Sequence, residues 1–262
     1  MNKMVKVWEK AVSRLIPVFV SLIIMVLSFA SLYIETTDFE YQSYVRINPV
    51  TQEEEVIDTR EISSYEDLMN NMAVDFFNVK SENEDVVGFL NIPNIGYYPI
   101  VMGQDNQFYL NHNEYKEPSK AGIPFMNTAC EGTFDDIALI HGHKMKSGAM
   151  FGALSKYKDE EFFRNNDLIT VFDGEYLYVY KPFSVFTYID GRGDVVGDKM
   201  KKNERKEYLN GIYERSMFQV DAEEIDLTNQ VLFLSTCDYM VNDGTGRMAV
   251  AGVMVEKVKY VK

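Results

Sequence analysis

Hydrophobic and polar positions divide the chain into three regimes. Residues 15–34, LIPVFVSLIIMVLSFASLYI, carry no charged side chain. At ~1.5 Å per residue, a helix of this length reaches ~30 Å, the thickness of a bilayer's hydrocarbon core. The run therefore predicts a transmembrane signal anchor, with Pro17 in the first turn, where its missing N–H is tolerated. Lys3, Lys6, Lys10 and Arg14 make residues 1–14 a basic flank expected on the cytoplasmic side. A cleaved signal peptide is the alternative; its apolar region would be shorter, at ~7–15 residues, and Ser28, Ala30 and Ser31 are the small residues it would use. The expected localisation is a single-pass cell-membrane protein with its folded domain extracellular. Residues 35–61 are acidic and polar, with the run TQEEEVIDTRE, and read as a membrane-proximal spacer; residues 62–262 read as one domain.

Within that domain the period of the pattern changes from element to element. ISSYEDLMNNMAVDFFNVKSEN, 62–83, has Leu68, Met72, Phe76, Phe77 and Val79 near helical spacing. Ser63 or Ser64 would cap it, with Glu66 and Asp67 in the first turn. The following segments are short, rich in β-branched and aromatic residues, and bounded by Gly, Pro, Asn or Asp, which predicts strands. They are 86–93, 97–102, 121–127, 136–141, 167–173, 175–189, 230–237 and 247–258. Asp173-Gly174 is a hairpin signal between two of them. Helical patterns interrupt at 152–166 and 197–218. About eight strands with few helices predict a mainly β fold, a closed or nearly closed barrel.

Composition narrows the function. Hydrophobic residues make up 46% and aromatic residues 13% of 262, enough for a sizeable core. The formal charge of −14 disfavours nucleic acid, whose phosphates would be repelled. The chain has two cysteines, Cys130 and Cys237, and in an exported protein a disulfide between them must be weighed.

The stretch LFLSTCDYMVNDGTGRMAVAG, 232–252, concentrates the candidate chemistry. In QVLFLSTC, Val231, Phe233, Ser235 and Cys237 alternate with Leu232, Leu234 and Thr236; both faces are largely apolar, so the strand is central. Cys237 stands at its end. A polar, Gly-containing loop follows, and Arg247 opens the next strand. If the two strands form a hairpin, Cys237 and Arg247 share one rim of the sheet, a usual place for catalytic groups. A thiol reacts as thiolate, which a nearby cation favours. Of three histidines, His143 lies just past the strand 136–141 and can lean over a rim. Blander readings stand beside this one. A lone strand-end cysteine is more often a packed small hydrophobe, Arg247 alone a surface charge, and His112 a loop residue. His141, His143 and a cysteine could bind a metal, but no further ligand occurs at suitable spacing. Asp135-Asp136 lacks EF-hand spacing, and the lysines and Arg205 of 197–218 read as a solvated face. No metal or organic cofactor is expected.

At this point the residues match a family. LSTC followed by Arg247 in LSTCDYMVNDGTGR resembles the sortases, specifically class B. So do the His segment GHKMKSGAMFGALSKY, VVGFLNIPNIGYYPIVMGQDNQFYLNH and GIPFMN. The likeness covers about residues 62–258. It implies an eight-stranded sortase β-barrel with an N-terminal helical extension and a helix in the long connection before the Cys strand. It also implies a cysteine transpeptidase that cuts a C-terminal sorting motif of secreted proteins after Thr, through a thioacyl intermediate. The chain is then passed to an amine of a peptidoglycan precursor or cross-bridge. A pilin lysine as acceptor, or water as in a hydrolytic cysteine protease, would use the same residues. By resemblance Cys237 is the nucleophile, His143 the acid–base and Arg247 the oxygen-binding cation. Asn106, Leu110, Thr187, Tyr188, Ser235 and Asp238 are implied to bind substrate. His141 stands where several members have Tyr, so a second imidazole is expected near the cleft.

Overall fold

A computed structural model describes residues 44–47, 54–57, 65–189, 195, 201–237 and 246–261. Strands β1 (Tyr44–Ile47) and β2 (Glu54–Ile57) pair antiparallel, so part of the acidic stretch read as a spacer forms a hairpin. Helix α1 (Tyr65–Glu82) follows, matching the helical period expected over 62–83. Its inner face, Leu68, Met69, Met72, Ala73, Phe76 and Val79, packs on Phe89, Tyr97, Tyr109, Phe125, Phe172 and Leu177. The buried Asp75 is satisfied by the Tyr97 hydroxyl at 2.9 Å.

The expected localisation is corrected here. Among the described residues no helix is long and apolar enough to cross a membrane. The longest of them, α1, spans 18 residues but carries Glu66, Asp67, Asp75, Lys80 and Glu82, which would have to be desolvated in a bilayer. A single-pass membrane protein is therefore not supported. The expected anchor 15–34 and its flank 1–14 lie outside the described residues.

Eight strands close a barrel: β3 (Val86–Ile92), β4 (Gly96–Val101), β5 (Phe125–Met126), β6 (Ile137–His141), β7 (Ile169–Phe172), β8 (Tyr176–Ile189), β9 (Val231–Cys237) and β10 (Gly246–Lys259). Around it they run β10-β8-β7-β3-β4-β5-β6-β9, and β9 returns to β10. Most neighbours are antiparallel; β4–β5 and β6–β9 are parallel. Every expected strand is present within a few residues of its expected bounds. The Asp173-Gly174 signal is also met: Gly174 takes φ +97°, and the Asp173 carboxylate accepts the N–H groups of Glu175 and Tyr176. Strands such as β9 are apolar on both faces because one face fills the barrel interior and the other lies under an outer layer. One outer layer is α1, over β3 and β7. The other is a 3-10 helix (Phe151–Lys158), α2 (Glu160–Asn165) and α3 (Lys202–Glu214), which bury Leu154, Tyr157, Phe163, Leu209 and Ile212. The helix expected over 152–166 is thus two pieces. Asp159, extended at φ −90° and ψ 129°, ends the first and caps the second through Phe162 N–H.

One expectation for 197–218 fails instructively. Arg205 is not part of a solvated face; its side chain is 12% exposed. Nε donates to Asp136 at 2.8 Å, and the two Nη groups donate to the carbonyls of Leu227 and Asn229. It fastens α3 to the segment entering β9 and to the residue before β6. Arg205→Ala is expected to lower unfolding free energy by about 2–3 kcal/mol, since it orphans a part-buried carboxylate and two carbonyls. Arg205→Lys should recover only part of this, having lost the planar fork. Urea unfolding of both variants checks it, and a loss under about 0.5 kcal/mol for alanine, the level of an ordinary surface change, would contradict it.

Candidate active site

Four neighbouring strand ends build the site. The α-carbons of Cys237 on β9 and Arg247 on β10 are direct partners. The expected hairpin geometry is therefore present. On its other side Arg247 is the partner of Tyr188 on β8. Across β9, His141 on β6 is in parallel register with Ser235. Two residues further along each of these strands' paths stand His143 and Cys237. The rim thus reads His143, Cys237, Arg247, Tyr188 across β6, β9, β10 and β8, with neighbouring strands ~4.8 Å apart.

The turn that carries His143 is held tightly. Gly142 is its only link to β6. A Cβ there would come within 2.6 Å of the Phe151 ring, so glycine is required for the backbone to lie on that ring. Gly142 N–H donates to the Ser235 carbonyl at 3.1 Å, and the Thr236 hydroxyl donates to the Gly142 carbonyl at 2.9 Å. Lys144 and Met150 bridge the far side of the turn, where Met150 takes the left-handed φ of +52°. The Met150 carbonyl accepts from the Tyr98 hydroxyl at 3.2 Å. Burial pushes the Tyr98 pKa up to about 12, so this donor stays protonated through any working pH.

His143 is half-buried, and its Nε2 lies 2.7 Å from the Leu110 carbonyl. A carbonyl only accepts, so Nε2 carries a proton and Nδ1 is the nitrogen left to exchange one. Leu110 ends a 3-10 turn, Phe108–Leu110, that is anchored from beneath. The Tyr109 hydroxyl donates to Asp85 at 2.6 Å and accepts from the buried Asn83 amide at 2.9 Å. Lys116 also pairs with Asp85 at 2.9 Å. Burial raises the Asp85 carboxyl, but the bonds from Tyr109 and Lys116 outweigh it, and its pKa ends below the usual range. The Tyr109 hydroxyl is pushed up, by burial first and by Asp85 next.

The remaining expected site residues divide. Asn106 turns its carbonyl oxygen to Thr128 N–H at 2.9 Å, joining the loop before the 3-10 turn to the segment after β5. Thr187 is half-buried beside Tyr188. Tyr188 and Ser235 bond each other at 2.6 Å and are 8% and 1% exposed, so they underlie the rim more than they line a pocket. Asp238 and the loop 238–245 lie outside the described residues. The second imidazole, His141, accepts from Asn127 Nδ2 at 3.1 Å and packs on Phe125. His112 stacks on Phe108, with centroids 3.9 Å apart. Among the described residues no group of three His, Cys, Asp or Glu is placed to hold a metal. Asp136 is engaged by Arg205 and Asp135 faces Lys257 at 3.7 Å. Cys130 is buried, forms no disulfide, and its sulfur accepts from Leu139 N–H at 3.3 Å.

Thr236, Tyr98, Tyr109 and Asn83 support this arrangement, and sequence reasoning passed over all four. A signal existed for Thr236. Ser235 and Thr236 are two hydroxyls in a strand buried on both faces, and each needed a partner.

A closed mixed barrel with a cysteine, a histidine and an arginine at adjacent strand ends defines a class of cysteine transpeptidase. The sortase domain family matches residues 90–255, and the chain belongs to that family. Within it the chain is a class B sortase. It is 31% identical over 183 residues to sortase B of Listeria monocytogenes, covering 67% of this chain and 72% of the relative. The fold superposes on sortase B of Clostridium perfringens with a TM-score of 0.63 at 27% identity, covering 69% of this chain and 99% of that one. A Staphylococcus aureus sortase B–substrate complex shares the fold at 21% identity and a TM-score of 0.64, covering 72% and 90%.

Proposed function

We propose that this sortase cleaves a sorting motif near the C-terminus of secreted proteins after a Thr, and passes the new acyl end to an amine of the cell-wall peptidoglycan. In this reading the Cys237 thiolate attacks the Thr carbonyl carbon. The C–N bond breaks, the leaving amine takes a proton from His143, and a thioester remains on Cys237. The acceptor amine then attacks the thioester. His143 Nδ1 takes the proton, an amide forms, and the thiolate is released. Arg247 carries a fixed charge and a planar fork of donors, and binds the carbonyl oxygen as negative charge develops on it. Asn106, Leu110 and Thr187 are assigned to the substrate groove, and Tyr188 and Ser235 to the floor beneath Arg247. Asp238 is kept as a groove residue on resemblance alone.

The observation that carries this reading is the shared register of three strand ends, His143 beyond β6, Cys237 on β9 and Arg247 on β10. A relative solved with substrate, the Staphylococcus aureus sortase B, adds weight to a groove for a substrate chain. The test is mass spectrometry of products from a library of sorting peptides, with diaminopimelate, oligoglycine or a lysine peptide supplied as amine. The expected product is the Thr-terminated fragment joined to a peptidoglycan-type amine. Ligation only to the lysine peptide would redirect the reading to pilin polymerisation, and release of free acid alone to hydrolysis. No cleavage of any peptide would sink it.

A further inference from the structure

The residue just before the nucleophile has a hydroxyl with a defined task. Thr236 is 3% exposed, and its Oγ1 donates to the Gly142 carbonyl at 2.9 Å, 94 residues away in the chain. That carbonyl belongs to the peptide unit whose N–H is that of His143. The unit is planar, so holding its oxygen sets the direction in which the chain enters His143. Gly142 has no side chain with which to fix itself, and glycine is the residue freest to rotate. The Ser235–Gly142 bond restrains the other side of Gly142 through main chain alone. The His143 ring is restrained again at its tip, by the Leu110 carbonyl. Without the Thr236 bond, one end of the histidine's support is loose.

We infer that Thr236 is a positioning residue, whose hydroxyl fixes the Gly142–His143 peptide and so holds the histidine at the nucleophile's strand end. The inference rests on the roles proposed for Cys237 and His143. Thr236→Val keeps the shape and removes the donor; Thr236→Ser keeps the donor and removes a methyl. A small displacement of an acid–base group costs up to about a hundredfold in rate. Thr236→Val is therefore expected to lower kcat by about tenfold to a hundredfold, with KM within about twofold, and to alter the limb of the pH–rate profile assigned to His143. Thr236→Ser should restore kcat to within about threefold of the parent, a margin well inside the expected loss. Thermal melting confirms that each variant is folded. If the valine chain does not fold, Thr236→Ala replaces it with the same readouts. A folded donor-less variant with the parent's kcat and pH profile would overturn the inference, as would a folded serine variant as impaired as valine. Cys237→Ala and His143→Ala run alongside. If both are inactive while Thr236→Val is unimpaired, only the positioning role fails; if either keeps the parent's turnover, the proposed catalytic roles fail and the inference with them.

Discussion

Cys237→Ala is expected to abolish the thioacyl adduct and lower kcat/KM by about 10⁴-fold or more, because covalent catalysis has no substitute without its nucleophile. Cys130 offers no rescue. It is buried within the β5–β6 connection, with its sulfur bonded to the Leu139 N–H. Intact mass spectrometry after exposure to a sorting peptide reads the adduct, and a chromatographic cleavage assay reads the rate. A chain lacking Cys237 that still gains the mass of the acyl fragment would place the nucleophile elsewhere. Stability should change little, since Cys237 ends its strand and the register with Arg247 is made by main chain. A large drop in melting temperature would point instead to a structural thiol.

Arg247→Ala carries the second large effect. Removing a donor from an oxyanion site costs about 10²–10³ in kcat, roughly 3–4 kcal/mol of transition-state stabilisation. KM should rise far less than kcat falls, because the interaction grows as charge develops on the oxygen. Arg247→Lys keeps the charge and is expected to recover only part of the loss, since a single ammonium cannot reproduce the fork. Steady-state kinetics on one peptide and one amine separate the cases. Equal activity for lysine and arginine would reduce Arg247 to a general positive charge, and a pure KM effect would make it a ground-state binding residue.

Much of this site was legible because it is local. The strand segments carry β-branched and aromatic residues between Gly, Pro, Asn and Asp. Those preferences act within a few residues, so the bounds of β3, β7, β8 and β9 were readable. The pairing of Cys237 with Arg247 was readable for the same reason. A short polar loop between two apolar runs leaves an antiparallel hairpin as the simple outcome. Arg205 was misread because its spacing places it on a charged helix. Nothing local says that the carbonyls of Leu227 and Asn229 will come to meet it.

The amino-acid sequence alone thus determined the elements, the barrel class, and which cysteine, histidine and arginine to watch. Tertiary structure decided how they meet. The parallel pairing of β6 with β9 joins strands separated by α2, β7, β8 and α3, and such a register depends on how the whole barrel closes. That closure sets the end of β6, with His143 just beyond it, beside the end of β9 that carries Cys237. It also turns a main-chain oxygen of Leu110 toward the imidazole and a threonine hydroxyl toward Gly142. A carbonyl is the same at every residue, and a buried hydroxyl shows only that it needs an acceptor. Which one it finds is settled when the layers pack.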